Sequence, residues 1–283
     1  MTDDQAAQDN RVSTVLGRKL GGELLQLRLA AGLTQGEAAK AITASTGKVA
    51  KMERGWVPMR EPDIRALCER FGVSDPAAVG GLLELARIDR ERRKAKGWWN
   101  DFSRLGDMHE YVALESAATT VTMWQVAYVP GLLQTPAYIR ALNSDEQFVS
   151  ARLARQQRLT EATPLALRVV IFEAALRNLV GGAEVMKEQL THLAAVATRP
   201  NITVQVRPFS AGSHPQMDSA FNIMSFAEPG AMDVVYMEVP FTRLWIEGGE
   251  GAAQHVELFE TIARQALSEG DSQAFIKRIS EEL

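Results

Sequence analysis

The sequence has one cysteine, four histidines and no long apolar run. The single cysteine, Cys68, excludes an intramolecular disulfide and any zinc site built from cysteines. No stretch reaches the roughly 18 apolar residues that a membrane-spanning helix needs. The first ten residues, MTDDQAAQDN, are acidic and polar, and they predict neither a signal peptide nor a transit peptide. We therefore expect a cytoplasmic protein.

Patterns that carry metal or catalytic chemistry are also scarce. The histidines have no HxxxH or HxH spacing: His109, His192, His214 and His255. The glycine-rich stretch 248–251 lacks the Lys-Ser/Thr pair of a phosphate-binding loop. One loop holds hydrolase-type residues without a G-x-S-x-G turn: Ser210, Ser213, His214 and Asp218. We interpret it as a polar loop and predict no metal, no cofactor and no enzyme activity.

The net charge of −4 is unevenly distributed along the chain. Residues 11–70 carry a balance of +5, whereas residues 101–283 carry −8. A length of 283 residues suits two domains. A basic N-terminal part on an acidic remainder is the distribution expected of a DNA-binding domain joined to a domain that does not bind DNA.

Residues 33–55 have the pattern of two short helices joined by a turn. Thr34 and Glu37 have the spacing of a capping box, in which each side chain bonds to the other residue's backbone amide. Ser45 follows a break in the apolar pattern and is a second N-cap candidate. The stretch therefore predicts a helix-turn-helix.

The second of these helices combines an apolar side with a polar side. Val49 and Met52 are three residues apart and are expected to face inward. The residues left facing outward are Thr46, Gly47, Lys48 and Lys51. A helix fits the major groove of DNA, where its first turn presents side chains to base edges.

The triplet Leu33-Thr34-Gln35 and the S-x-x-x-V-x-x-M-E-R-G pattern of Ser45–Gly55 resemble the Cro/lambda-repressor helix-turn-helix family, also called the XRE family. The resemblance implies an all-α, five-helix, lambda-repressor-like domain. It implies a phosphate contact for Gln35 and a DNA-facing set of Gln35, Ser45, Thr46, Gly47, Lys48, Lys51 and Arg54. It further implies a structural ion pair between Arg28 and Glu53. The sequence departs from the family at Gly36 and Gly47, where better helix formers are usual.

The helical pattern divides the chain into four predicted segments. We expect a disordered tail at 1–12, a DNA-binding domain at 13–86, a basic helical linker at 87–97 and a second domain at 98–283. The basic linker, RIDRERRKAK, is either a solvated helix end or an extension onto the DNA backbone.

The second half predicts an α+β domain with a mixed, partly antiparallel sheet. Helices are expected at 107–117, 135–143, 145–162, 183–198, 252–268 and 271–282. Strands are expected at 120–128, 167–173, 202–208, 220–226, 232–239 and 243–247. The turn Glu228-Pro229-Gly230 predicts a hairpin between the fourth and fifth strands.

Three blocks of this half, Val129–Thr135, Val204–Gly212 and Asp233–Glu238, resemble a widespread bacterial C-terminal domain of unassigned function. That domain is fused to the same type of helix-turn-helix. The resemblance implies a bacterial protein that is nucleoid-associated when bound to DNA. It also implies a small cognate partner protein that binds the regulator.

Two sets of side chains in the second half are candidate binding sites. An anion or partner site would use Arg152, Arg155 and Arg158, which are spaced to share one helix face. The alternative is a solvated, partly paired face. An apolar effector pocket would use Trp98, Trp99, Tyr111, Tyr128, Tyr138 and Trp245, which could equally be core residues.

Together these patterns predict a sequence-specific DNA-binding transcriptional regulator. A single small domain reads few base pairs, so we expect a homodimer on a near-palindromic operator, with contacts between protomers mainly in residues 97–283. Control would come from a partner protein or from a small-molecule effector. The alternative is an antitoxin-like interaction protein whose DNA binding is mainly autoregulatory.

Overall fold

The computed structural model describes residues 14–94, 102, 108–213, 219–227, 233–240 and 242–283. The predicted disordered tail, Trp98 and Trp99 lie outside these residues. The chain divides into two compact units, Met1–Gly97 and Trp98–Leu283. No helix among the described residues is both long and apolar enough to cross a membrane.

The described part of the N-terminal unit, residues 14–94, contains five α-helices. They are Val15–Ala30 (α1), Gln35–Ala41 (α2), Thr46–Glu53 (α3), Glu61–Phe71 (α4) and Pro76–Lys94 (α5). Apolar residues from all five helices form one core, with Leu20 and Leu24 of α1 against Met52 of α3 and Ile64 of α4. Cys68 belongs to this core, and burial raises the pKa of its thiol. This apolar cluster joins all five described helices.

The predicted basic helical linker continues the last helix of the N-terminal unit. The predicted boundary at residue 86 falls inside α5, which continues through Lys94. Arg90 donates to the backbone oxygen of Met59 at 2.6 Å, and Arg93 donates to that of Gly55 at 2.7 Å. Arg93 also pairs with Asp89 at 2.8 Å. The predicted linker is therefore, as far as it is described, a helix in which Arg90 and Arg93 bind within the N-terminal unit.

The C-terminal unit is built on a six-stranded sheet. Its strands are Thr120–Gln125 (β1), Ala166–Phe172 (β2), Ile202–Arg207 (β3), Phe221–Ser225 (β4), Val234–Val239 (β5) and Thr242–Glu247 (β6). The spatial order is β3-β2-β1-β4-β5-β6. The β1–β2 and β2–β3 pairs are parallel, and the other three pairs are antiparallel. The sheet is therefore mixed.

Seven α-helices accompany the sheet in the described part of this unit. They are His109–Ala117 (α6), Pro136–Leu142 (α7), Glu146–Gln156 (α8), Glu173–Arg177 (α9), Ala183–Val196 (α10), Gly249–Arg264 (α11) and Glu269–Glu282 (α12). On one sheet face, Trp124 and Val170 pack with Phe259 and Ile262 of α11. On the opposite face, the register aligns Met123, Asn222 and Tyr236 across β1, β4 and β5. That second face carries the cavity described below.

The predicted fold class is confirmed: a helical N-terminal unit precedes an α+β unit with a mixed sheet. The predicted antiparallel pairing of β4 with β5 is present, and its turn lies outside the described residues. Helix α9 was not predicted. It begins at Glu173, whose buried carboxylate accepts hydrogen bonds from the Phe209 amide at 2.7 Å and from Arg177 at 2.7 Å. These partners are distant in sequence or inside the helix itself, so the apolar pattern does not reveal them.

Candidate nucleic-acid interface

Local capping begins both helices of the predicted helix-turn-helix. The Thr34 hydroxyl accepts from the Glu37 amide at 3.3 Å, and the Glu37 carboxylate accepts from the Thr34 amide at 2.9 Å. The Ser45 hydroxyl accepts from the Lys48 amide at 3.2 Å and caps α3. These bonds satisfy amides that a helix start leaves without intrahelical partners. The start of α3 is therefore fixed by its own sequence.

Helix α3 turns one side to the core and the other to solvent. Val49 and Met52 are buried. The predicted DNA-facing residues that are exposed are Ser45, Thr46, Gly47, Lys51 and Arg54. The Arg54 guanidinium lies over the Trp56 ring, 4.9 Å from its centroid. The outer surface of α3 is thus polar, with two exposed cations.

Lys48 is less available than its position on the outer side predicts. Its ammonium lies 3.0 Å from a carboxylate oxygen of Asp63 on α4, and its side chain is 36% exposed. Arg60 bonds to the same carboxylate at 3.1 and 3.2 Å. Burial raises the pKa of Asp63, but the bonds from Arg60 and Lys48 outweigh burial and lower it. In DNA binding, the Lys48 ammonium would have to be shared with Asp63 or released from it.

Gln35 also has a partner that the sequence did not indicate. The Gln35 side-chain amide donates to the Glu53 carboxylate at 2.7 Å. That carboxylate also accepts two bonds from the Arg28 guanidinium, at 2.5 and 3.1 Å. Arg28 and Glu53 are both nearly buried, and Arg28 further donates to the backbone oxygen of Leu33 at 2.7 Å. The Gln35 amide thus belongs to a buried network, and a phosphate contact would require it to leave Glu53.

Gly21 and Gly55, neither of which was predicted to have a structural role, set the close approach of α1 to the end of α3. A Cβ on Gly21 would lie 2.4 Å from the backbone oxygen of Met52 and 2.6 Å from that of Glu53. Gly55 has a φ of +68°, and a Cβ there would lie 2.4 Å from the Arg18 nitrogen. Only glycine allows this approach without backbone movement. The Gly17-x-x-x-Gly21 spacing in α1 was the available signal, because it places two small residues on one helix face.

Gly36 and Gly47, the departures from the family pattern, have no such packing reason. The nearest described atoms to a Cβ on Gly36 would be 3.8 Å away, and the nearest to one on Gly47 would be 3.9 Å away. Both are ordinary van der Waals distances. A side chain would therefore fit at either position in the free protein.

The three arginines of the predicted anion site do not form a solvated stripe. Arg155 is buried and donates two bonds of 2.7 Å to the Glu115 carboxylate. Burial lowers the pKa of Arg155, but the Glu115 carboxylate raises it above its usual value overall. Arg158 donates to the backbone oxygens of Ser116 and Ala118, and its side chain is only 14% exposed. Both side chains hold α8 against the end of α6.

Arg152 is the third of these arginines and has weaker partners. It donates to the side-chain oxygen of Gln134 at 2.5 Å, and its guanidinium lies over the Phe148 ring at 4.6 Å. Its Nε is buried without a hydrogen-bond partner among the described residues. Burial, followed by the nearby charge of Arg155, lowers the pKa of Arg152 to about 10.

The predicted aromatic pocket is only partly assembled. Tyr111 and Tyr128 line a cavity of about 360 Å³ that Arg152 and Arg155 also line. Tyr138 is fully buried, and its hydroxyl accepts from the Val129 amide at 3.2 Å, so it is a core residue. Trp245 packs on the Tyr236 ring, with centroids 4.6 Å apart, and does not line the cavity. Two of the predicted arginines, Arg152 and Arg155, and two of the predicted aromatic residues, Tyr111 and Tyr128, thus line one cavity.

No described cluster of three or more His, Cys, Asp or Glu side chains could hold a metal ion. His214 and Asp218 of the polar loop lie outside the described residues. His192 is half-buried, and burial lowers the pKa of its imidazole.

Comparison with known families gives two matches along the chain. Residues 108–278 match a family described as a domain of unknown function, DUF5753, and this match covers more than half of the chain. Residues 19–82 match a family described as a helix-turn-helix domain, and they contain α2, α3 and α4 in full. Searches of curated proteins and of solved structures found no match. The helix-turn-helix match contains the capped and exposed α3.

Proposed function

We propose that this chain, which belongs to the DUF5753 family and carries an N-terminal helix-turn-helix domain, is a sequence-specific, non-enzymatic transcriptional regulator of the Cro/lambda-repressor type. The observation that supports this proposal is the geometry of α3. Its first turn is capped by Ser45 and exposes Thr46 and Gly47, while Val49 and Met52 anchor the opposite side. Such a helix can enter a major groove with its N-terminal turn toward base edges.

Affinity and specificity would come from different side chains. Lys51 and Arg54 are exposed cations that can bind phosphates, which position a protein on DNA without reading its sequence. Thr46 and Lys48 lie in the first turn of α3 and are the candidates for base contacts. The bonds that Glu53 of α3 accepts from Arg28 of α1 and Gln35 of α2 would hold α3 at a fixed angle to these two helices.

We infer that the regulator acts as a homodimer on a near-palindromic operator, with half-sites about one helical turn apart. One helix-turn-helix unit contacts few base pairs, and two-fold pairing doubles the site. The C-terminal unit is proposed to supply the contacts between protomers and to receive the controlling signal from a partner protein or an effector.

Selection of binding sites from random duplex DNA by the full chain tests the proposal. The recovered site is then used in gel shifts with wild type, Lys48→Ala/Lys51→Ala and the control Arg65→Ala, which removes an exposed cation on α4. We expect a near-palindromic site, two protomers per site, and weaker binding by the double variant alone. Double-variant binding equal to that of wild type would show that the DNA surface is assigned wrongly.

A further inference from the structure

The cavity of about 360 Å³ in the C-terminal unit lies over the sheet face opposite α11. Strand residues form its floor, and α6 and α8 contribute its sides. Its principal lining residues are Tyr111, Met123, Asn222, Tyr236, Glu238 and Arg152. The volume falls within the range of small-molecule sites in proteins.

About half of the cavity wall is apolar, and packed aromatic rings form part of it. The rings of Tyr111 and Tyr236 pack with centroids 4.6 Å apart. Met123, on the same sheet face as Tyr236, is also buried. The Tyr111 hydroxyl accepts from the Asn222 amide at 3.1 Å, which fixes the ring. The cavity is therefore preorganised to accept an apolar or aromatic group.

The charged groups around the cavity are paired, with one exception. Glu115 neutralises Arg155 through two bonds of 2.7 Å. Glu238 accepts from the Tyr236 hydroxyl at 3.0 Å and lies 3.5 Å from Arg243. Arg152 contacts the neutral Gln134 oxygen and the Phe148 ring. Glu115 and Glu238 act on its charge through space, but no described carboxylate forms an ion pair with it.

A largely buried cation without a carboxylate in direct contact is unfavourable, because more distant charges offset its desolvation only in part. Arginine presents planar, paired donors that match a carboxylate. Arg152 lines the cavity, and its buried Nε makes no hydrogen bond among the described residues, so its guanidinium keeps donor capacity. A group that brought one negative charge here would supply the missing partner. A doubly charged phosphate fits less well, because Glu238 lines the same cavity.

We propose that this cavity binds a small organic molecule with one carboxylate and an apolar or aromatic body. The carboxylate lies against Arg152, and the body lies against the Tyr111 and Tyr236 rings and Met123. A ligand of this class would be the effector of the proposed regulator. Its binding does not depend on that proposal; only its role in regulation rests on the proposed function. Binding is measured on the full chain without DNA, so its failure is distinguishable from a failure of DNA recognition.

The test uses calorimetry with four probe acids, benzoate, phenylacetate, indole-3-acetate and octanoate, and with the neutral amide of each. The variant Arg152→Gln is compared with Arg140→Gln, which alters an exposed arginine of α7 that pairs with Glu146. At least one acid should bind, its amide should bind about tenfold more weakly or worse, and Arg152→Gln should remove that preference. Arg140→Gln should bind as wild type does.

Three outcomes would overturn the proposal. One is that no probe acid binds at millimolar concentration. This result is also expected if the cavity receives a carboxylate side chain of a partner protein and not a small molecule. Another is equal affinity for acid and amide. The third is an acid preference that survives Arg152→Gln in a variant whose circular dichroism and melting temperature match those of wild type, which would place the carboxylate elsewhere.

Discussion

Two helices of this chain carry three cations at the same spacing and use them differently. Successive cations are three residues apart in both sets. On α3 and its C-cap they are Lys48, Lys51 and Arg54. On α8 and the short turn after it they are Arg152, Arg155 and Arg158. Lys51 and Arg54 are exposed. Arg155 is buried against Glu115, and Arg158 bonds to backbone oxygens of the α6 end. The spacing shows that cations share a helix face, whereas their partners decide whether that face is an interface or part of the core.

The largest expected effect comes from breaking the buried pair on α8. Arg155→Gln leaves the Glu115 carboxylate without its two bonds, and we expect the free energy of unfolding to fall by about 3–5 kcal/mol. Urea unfolding followed by circular dichroism measures the loss. Arg140→Gln, on an exposed pair, should change stability by less than about 1 kcal/mol. Similar losses in the two variants would contradict the assignment of a structural role to Arg155.

The contact that positions α3 gives the next effect. Gly21→Ala places a Cβ against the backbone oxygens of Met52 and Glu53, and we expect a loss of about 1–3 kcal/mol. Gly22→Ala is the matched control, because a Cβ there would meet no described atom within 4 Å. Thermal unfolding compares the two variants. If Gly21→Ala gains stability as Gly22→Ala is expected to, helix propensity rather than the crossing of α1 and α3 governs this position.

A smaller effect of opposite sign is expected on the exposed side of α3. Gly47→Ala should raise the free energy of unfolding by up to about 1 kcal/mol, because glycine is a poorer helix former and the added methyl has room. Urea unfolding and a gel shift on the selected site measure stability and DNA affinity together. Unchanged stability would mean that the start of α3 is already constrained by its Ser45 cap.

The smallest change in stability is expected for Arg152, in contrast to its neighbour Arg155. Arg152→Gln removes a largely buried cation that lacks a carboxylate partner, so we expect unfolding free energy to stay within about 1 kcal/mol of wild type or to rise. Urea unfolding followed by circular dichroism measures this change as well. A loss as large as that of Arg155→Gln would show that Arg152 is a structural residue and would weaken the case for a ligand site.

Local chemistry made much of this fold predictable. The caps Thr34, Ser45 and Thr135 act within three residues of their partners, so their positions in the sequence locate three helix starts. The alternation in β3 likewise places Ile202 and Val204 on a buried face. These features depend on neighbours along the chain, which the sequence displays directly.

Features that depend on distant partners were not predictable. Lys48 meets Asp63 across fifteen positions, and Arg155 meets Glu115 across forty. Neither pairing leaves a periodic signal in the sequence. Each cation has many acidic residues along the chain with which it could pair, and the sequence does not show which one is near it. The helical character of residues 87–94 was predicted, but the bond from Arg93 to the backbone oxygen of Gly55 was not, because those residues are 38 positions apart.

The most direct test of the account is the salt dependence of DNA binding by the full chain. On the selected site, the slope of log K against log salt concentration should decrease in magnitude by about one in Lys51→Ala, because one phosphate contact is lost. Arg65→Ala and Arg152→Gln should keep the wild-type slope. A Lys51→Ala slope equal to that of wild type would contradict the claim that the exposed side of α3 is the surface that binds DNA.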